Sequence, residues 1–316
     1  MKDLQECIRR LDLLFDMGEY AHALDASTSL LNALLDYEGE LEGGPYRMVL
    51  LKRGMSLDAL KRFSEALEVY DFLIRADPED LDAWRYRAYL LSMLDRNEDA
   101  LEAYDRVLEL ESVPDVDTHT QRGMVLDALG RQQEAVLSYD QSLSLEPDYE
   151  NVWEKRGDSL ALLGRFDESM TSYRRALDID PLGAGTWIKL AQLLDRDGQD
   201  AESLDAYAKA LEACGHLLRE GDNAHTWKWR GQASEGLGLS DESKVSMSKA
   251  AELFEELGMQ EAAEECRRED GKIHEPAWHK TGNGSFMEVP KPINEMSDEE
   301  LRQFAIEFLT ALKKKR

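Results

Sequence analysis

The sequence predicts an all-α protein built as a stack of repeated helix pairs. In residues 150–181, two segments place apolar residues at i, i+3, i+4 and i+7, on either side of a turn at Gly164. That spacing is typical of one face of an α-helix. Related segments recur along the chain at steps of 34, 35, 34, 34 and 40 residues. Because helices this short are marginal in isolation, each pair is expected to bury its apolar face against its neighbours.

Six copies of the pair align when each is numbered from its own first residue, at 47, 81, 116, 150, 184 and 224. Position 8 is always a small residue, which lets two helices approach closely: Gly54, Ala88, Gly123, Gly157, Ala191 and Gly231. Position 24 is large in every copy: Tyr70, Tyr104, Tyr139, Tyr173, Tyr207 and Met247. Prolines, which cannot continue a helix, follow four of the second segments: Pro78, Pro114, Pro147 and Pro181.

With tryptophan at position 4 of four copies, the alignment resembles the tetratricopeptide repeat, W-x2-L-G-x2-Y…A-x3-F…P. The resemblance extends from about residue 4 to residue 257. It implies a right-handed α-α superhelix of about seven helix-turn-helix repeats. A weaker copy near residue 4 lacks the tryptophan and the closing proline, as expected of a terminal capping repeat.

The repeat array is predicted to occupy residues 1–270, including one further helix after Leu257. The 40-residue step before Ala224 adds six residues, which form either a longer second helix or a loop. Residues 271–296 read as an extended linker, and residues 297–316 as a C-terminal amphipathic helix. This last helix could cap the stack, fill the protein's own groove, or contact a second copy or a partner.

The composition narrows the possible partners. The chain has 65 acidic and 38 basic residues, a net charge of −27, which repels phosphate backbones and anionic lipids. We therefore expect no nucleic-acid or membrane binding. The three cysteines are widely spaced and odd in number, and no signal peptide or spanning segment is evident. These features predict a cytoplasmic protein.

No motif in the sequence indicates catalysis. The chain has no Gly-rich phosphate loop, G-x-S-x-G or HExxH, and its six histidines show no metal-site spacing. We predict a non-enzymatic protein with no cofactor and no metal. The one alternative of this class is an enzyme with a site in the C-terminal tail.

The resemblance implies that first helices line a concave groove that binds a protein or peptide. Carried over by position, the groove candidates are Lys52, Met55, Arg85, Tyr86, Tyr89, Gln121, Met124, Lys155, Asp158, Lys189, Gln192, Lys228, Trp229 and Gln232. Tyr86, Tyr89 and Trp229 are expected to act as aromatic anchors, Trp229 above all. The family's carboxylate clamp for acidic chaperone tails is not expected, because no repeat has its Lys–Asn pair.

Charge in the predicted groove is unevenly distributed. Basic residues concentrate at positions 5 and 6 of the repeats, and acidic residues at position 12. In one interpretation these charges pair between neighbouring repeats and contribute little each. In the other, the two stripes orient a bound segment by its own charge pattern.

A self-regulated adaptor, whose C-terminal helix competes for the groove or mediates dimerisation, is the alternative function.

Overall fold

A computed structural model describes residues 2–35 and 44–270 of the chain. Within these ranges the protein consists of fifteen α-helices and contains no strand. The predicted all-α fold of paired helices is confirmed. The helices form two compact units, divided between Pro147 and Asp148.

The first unit contains four helix pairs. Its helices are α1 Lys2–Asp16, α2 Tyr20–Leu35, α3 Gly44–Ala59, α4 Phe63–Ala76, α5 Leu81–Met93, α6 Asn97–Leu110, α7 Val116–Ala128 and α8 Gln132–Leu145. Each odd-numbered helix packs on the even-numbered helix that follows it, and α1, α3, α5 and α7 contact one another in that order. These odd-numbered helices, the first of each pair, therefore form one continuous face.

The second unit contains three pairs and a closing helix. Its helices are α9 Glu150–Leu162, α10 Phe166–Ile179, α11 Ala184–Arg196, α12 Asp200–Glu220, α13 Ala224–Gly236, α14 Ser240–Glu256 and α15 Gln260–Asp270. Helix α11 contacts α13 directly, and side-chain hydrogen bonds join α9 to α11. Helix α15 packs on α14, where Ala263 and Cys266 are completely buried.

A left-handed residue ends most first helices. At Gly130, φ is +71°, and the Arg131 N–H donates back to the carbonyl of Leu126 over 2.8 Å. This is the glycine C-cap that satisfies the last helical carbonyls while reversing the chain. Lys61 and Asp95 take the same conformation at the equivalent turns, although they carry a Cβ. The turn is therefore imposed by the packing of the pair as well as by glycine.

The small residue at position 8 allows the two helices of a pair to touch. A Cβ added at Gly123 would lie 2.5 Å from the ring of Tyr139, a residue with no exposed surface. The same contact recurs at Gly54 with Tyr70, at Gly157 with Tyr173 and at Gly231 with Met247. The large residue at position 24 thus fills the space that the missing side chain leaves.

The six additional residues before Ala224 lengthen a helix. Helix α12 extends over 21 residues, whereas α10, the second helix of the preceding pair, extends over 14. Its last turns bury Ala213 and Cys214 against Ala184.

Two predicted segments lie outside the described residues: the linker at 271–296 and the amphipathic helix at 297–316. Among the residues that the structure does describe, no helix is both long and apolar enough to cross a bilayer.

Candidate partner-binding site

The groove candidates all lie on first helices, seven in each unit. Those of the first unit are on α3, α5 and α7: Lys52, Met55, Arg85, Tyr86, Tyr89, Gln121 and Met124. Those of the second unit are on α9, α11 and α13: Lys155, Asp158, Lys189, Gln192, Lys228, Trp229 and Gln232. The two sets differ in how far their side chains are buried or paired within the protein itself.

Apolar side chains are uncovered on the first-helix face of the first unit. Tyr89 on α5 is 42% exposed and Met124 on α7 is 39% exposed. Met55, at the same repeat position on α3, is half-buried. Met93, one turn beyond Tyr89, is 55% exposed and was not among the predicted residues, although position 13 faces the predicted groove. We call Met55, Tyr89, Met93 and Met124 the Met/Tyr patch.

Tyr86 has a different role from Tyr89. Its ring stacks on that of the buried Tyr70, with centroids 5.4 Å apart and planes inclined by 17°. Offset-stacked aromatic pairs of this kind add to the stabilisation that burial provides. One side of the Tyr86 ring is therefore already covered by Tyr70.

The two basic groove candidates of the first unit are paired with acids. Lys52 Nζ lies 3.0 Å from a carboxylate oxygen of Asp12 on α1, and 4.8 Å from the ring centre of Phe15. Arg85 donates to Glu111, at the end of α6, over 2.6 Å. The Glu111 side chain is almost completely buried and also accepts a hydrogen bond from Thr118. Both candidates are thus held by acids of neighbouring elements.

The second unit contains a closed ionic network around Lys189. Its Nζ donates to Glu154 over 2.6 Å and to Asp158 over 2.8 Å, both on α9. Asp158 accepts a second hydrogen bond from the Tyr173 hydroxyl over 2.8 Å, and Glu154 accepts one from Thr186. Every charged group of the network has at least two polar contacts.

The network shifts the protonation of its members. Burial alone would raise the pKa of Glu154, but the Lys189 charge and the hydrogen bonds from Lys189 and Thr186 outweigh it and lower that pKa. Burial would likewise lower the pKa of Lys189, and the charges of Asp158 and Glu154 raise it instead. The charged state of the network is therefore the stable one.

Trp229 is a packing residue in this structure. A Cβ added at Gly185 would lie 3.1 Å from its indole ring, so the ring rests directly on the backbone of α11. It also packs against the cluster around Cys214 and is half-buried. The neighbouring Lys228 forms an ion pair with Glu265 on α15, at 2.8 Å.

Four candidates make no side-chain hydrogen bond or ion pair within the described part of the chain. They are Gln121, Lys155, Gln192 and Gln232. Gln192 is exposed and the other three are half-buried. These polar groups are accessible without breaking an internal contact.

The described ranges contain no candidate metal site, and the buried thiol of Cys214 is not activated. No group of three or more His, Cys, Asp or Glu residues there could hold a metal ion. Burial raises the pKa of the Cys214 thiol to about 12, which makes a thiolate nucleophile unfavourable.

The repeats are similar to those of known proteins. The family model of the tetratricopeptide repeat matches residues 51–115 and 120–184. The chain therefore contains tetratricopeptide repeats. Among solved structures, a tetratricopeptide repeat protein from Parabacteroides merdae superposes with a TM-score of 0.61 at 17% identity, covering 83% of this chain and 99% of that one. A MamA protein gives a TM-score of 0.51 at 17% identity, covering 53% of this chain and 91% of its own. No curated protein matches the sequence.

At these identities the structural matches establish the shared repeat fold alone. Tetratricopeptide-repeat proteins are typically non-enzymatic scaffolds that bind protein or peptide partners. The binding specificity of this chain depends on its own side chains.

Proposed function

We propose that the protein is a non-enzymatic scaffold that binds a protein or peptide partner on the first-helix face of its first unit. The observation that carries the proposal is the Met/Tyr patch, in which large apolar side chains are exposed on α5 and α7 and the half-buried Met55 lies on the adjacent helix α3. Grouped apolar exposure is typical of interaction sites, whereas single exposed apolar residues are ordinary.

The chemistry of the patch suits a protein ligand. Tyrosine provides a large, rigid contact area with a polar end, and such residues dominate interface energies. Methionine is flexible and polarisable, so it adapts to apolar side chains of different shapes. We therefore infer an apolar or amphipathic segment as the ligand.

The charged groove candidates are expected to contribute less to binding than the Met/Tyr patch. Lys52, Arg85, Lys189 and Lys228 each pair with an acid of the chain itself. A ligand that recruits one of them must first break that pair and desolvate its partner. For Lys52, Lys189 and Lys228 the acid lies in a neighbouring repeat or in α15, which favours the interpretation in which the basic positions join neighbouring repeats.

The net charge of −27 supports a protein partner over nucleic acid or an anionic membrane. The cytoplasmic location expected from the sequence is part of the proposal, and the free cysteines are in keeping with a reducing compartment.

The test uses a random dodecapeptide display library, selected on the full-length chain, followed by affinity measurement of synthetic peptides. The double variant Tyr89→Ala/Met124→Ala removes the centre of the patch. We expect it to weaken binding at least tenfold, because truncating a central aromatic anchor costs about 2 kcal/mol or more.

The matched control is Leu137→Ala. Leu137 is 57% exposed in the same unit but lies on α8, a second helix. It should leave the affinity unchanged. If the selected peptides bind the double variant as tightly as the unaltered chain, the patch is not the binding site.

A further inference from the structure

The tyrosine at position 24 has a recurring polar contact with an acid at position 12. The Tyr139 hydroxyl donates to Asp127 over 2.8 Å, and the Tyr207 hydroxyl donates to Asp195 over 3.0 Å. In both pairs the acid lies on the first helix and the tyrosine on the second. Each buried hydroxyl thereby gains the hydrogen bond that its burial requires.

The α3–α4 pair carries the same two residues without the bond. Tyr70 is completely buried, and its hydroxyl has no hydrogen-bond partner in the part of the chain that the structure describes. Asp58, half-buried on α3, makes no side-chain hydrogen bond or ion pair among the described residues. Burial raises the pKa of Tyr70 and, next in size, so does the nearby Asp58 charge. Burial also raises the pKa of Asp58. A Cβ added at Gly54, one turn before Asp58 on α3, would lie 2.9 Å from the Tyr70 hydroxyl. The acid and the hydroxyl are therefore close together, and neither has a hydrogen-bond partner among the described residues.

The second unit shows what such a pair can hold. There the Asp158 carboxylate accepts from the Tyr173 hydroxyl and from Lys189 Nζ, so one acid serves both donors. Lys189 occupies position 6 of the next repeat, and in the first unit that position is Tyr86. The α3–α4 pair therefore has the acid and the hydroxyl, and the residue at the position of Lys189 carries no positive charge. Asp158 lies one turn earlier in its helix than Asp58 does in α3. The two sites are therefore alike in their acid and hydroxyl groups and not in the position of the acid.

We propose that Asp58 and Tyr70 receive a lysine or arginine side chain of the bound partner. The inference rests on the proposed function and names the chemistry of its ligand, an apolar segment that carries one basic residue. The partner's cation would form an ion pair with the Asp58 carboxylate. The same carboxylate would accept a hydrogen bond from the Tyr70 hydroxyl. The aliphatic stem of the basic residue would lie along Met55, which precedes Asp58 by one turn on α3.

The charge of the protein adds to the specificity of this site. A cationic segment is attracted by a body with a net charge of −27, and the attraction accelerates encounter as well as favouring one register. Since Lys52 and Arg85 are already neutralised by their own acids, Asp58 is left as an uncompensated charge next to the Met/Tyr patch.

The experiment starts from the dodecapeptides selected on the full-length chain whose binding depends on the Met/Tyr patch. Each lysine or arginine in these peptides is replaced by glutamine in turn. We expect one such replacement to weaken binding to the unaltered chain about tenfold, and to have little further effect on Asp58→Asn. Glu68→Gln, at an exposed acid on α4 of the same pair, is the control that should retain full sensitivity to the replacement.

The peptide substitutions need no folded variant, so the inference stays testable even if Asp58→Asn is unstable. Patch-dependent peptides that contain no basic residue, or whose basic residue matters equally to Asp58→Asn, would overturn this inference and leave the proposed function intact. A library that yields no patch-dependent peptide would overturn both.

Discussion

Lys189→Met isolates the contribution of the ionic network in the second unit. Methionine keeps the length and apolar stem of lysine, while Glu154 and Asp158 lose the ammonium group that lies 2.6 and 2.8 Å away. The three side chains are 35%, 30% and 29% exposed, between a surface pair and a buried one. Exposed pairs contribute about 0–1 kcal/mol and breaking a buried pair costs about 3–5 kcal/mol. We expect a loss of about 2 kcal/mol.

Circular dichroism at increasing temperature, with urea unfolding as a second measurement, would detect this loss. For a unit of this size, about 2 kcal/mol corresponds to a fall in Tm of about 4–8 °C. Lys155→Met is the matched control, because Lys155 has no ion pair or hydrogen bond of its side chain among the described residues. If the two variants are equally stable, the network does not contribute as its geometry indicates.

The same pair of proteins has a predictable pH dependence. The pKa of Glu154 is lowered in the folded state from its ordinary value of 4.5, so its stabilising effect is present above that value and is lost as the pH falls through the folded pKa. The difference in Tm between the unaltered chain and Lys189→Met should therefore be largest near neutral pH and shrink below about pH 4. A difference that stays constant down to pH 3 would contradict the assignment.

Two further predictions concern the helix contacts and the thiols. Gly123→Ala should destabilise the first unit by about 1–2 kcal/mol in urea unfolding, because overpacking against Tyr139 outweighs the better helix propensity of alanine. In the native protein a maleimide reagent should modify Cys7, which is exposed, and spare Cys214 and Cys266, which are buried.

Each of these has a direct control. Gly221→Ala adds a Cβ that meets nothing within 4 Å, so it should leave stability nearly unchanged. In denaturant all three thiols should react at similar rates. Equal stability of Gly123→Ala and the unaltered chain, or fast native labelling of Cys214, would contradict the packing described above.

Much of the fold follows from the sequence because the repeat signals are local. Helices α5, α7, α9, α11 and α13 begin at residues 81, 116, 150, 184 and 224, where the aligned copies begin. Helix propensity, the turn glycine and the position 8 to position 24 contact all operate within a pair. The fate of the extra residues before Ala224 could not be predicted, since a helix extension and a loop use similar residues. The extra residues extend the helix, because Cys214 is buried in a cluster against which Trp229 of the next pair packs.

The site was less predictable because its charges depend on residues outside the repeat positions considered. Arg85 pairs with Glu111 at the end of α6, and Lys228 with Glu265 on α15, neither of which is a groove position. Counting charges on one face therefore overestimates the free cations. Trp229 was predicted to be an aromatic anchor of the groove, and its packing over Gly185 is a contact that no periodic pattern signals.

The contact between position 8 and position 24 has a consequence for how such a chain can grow. The two residues stand 16 apart in all four examples with glycine, and both belong to one helix pair. A duplicated segment would therefore bring along both halves of its tightest contact, already matched in volume. Substitutions at the two positions should be coupled within each copy and independent between copies. The polar links between pairs would then be the part that each new copy must acquire afresh.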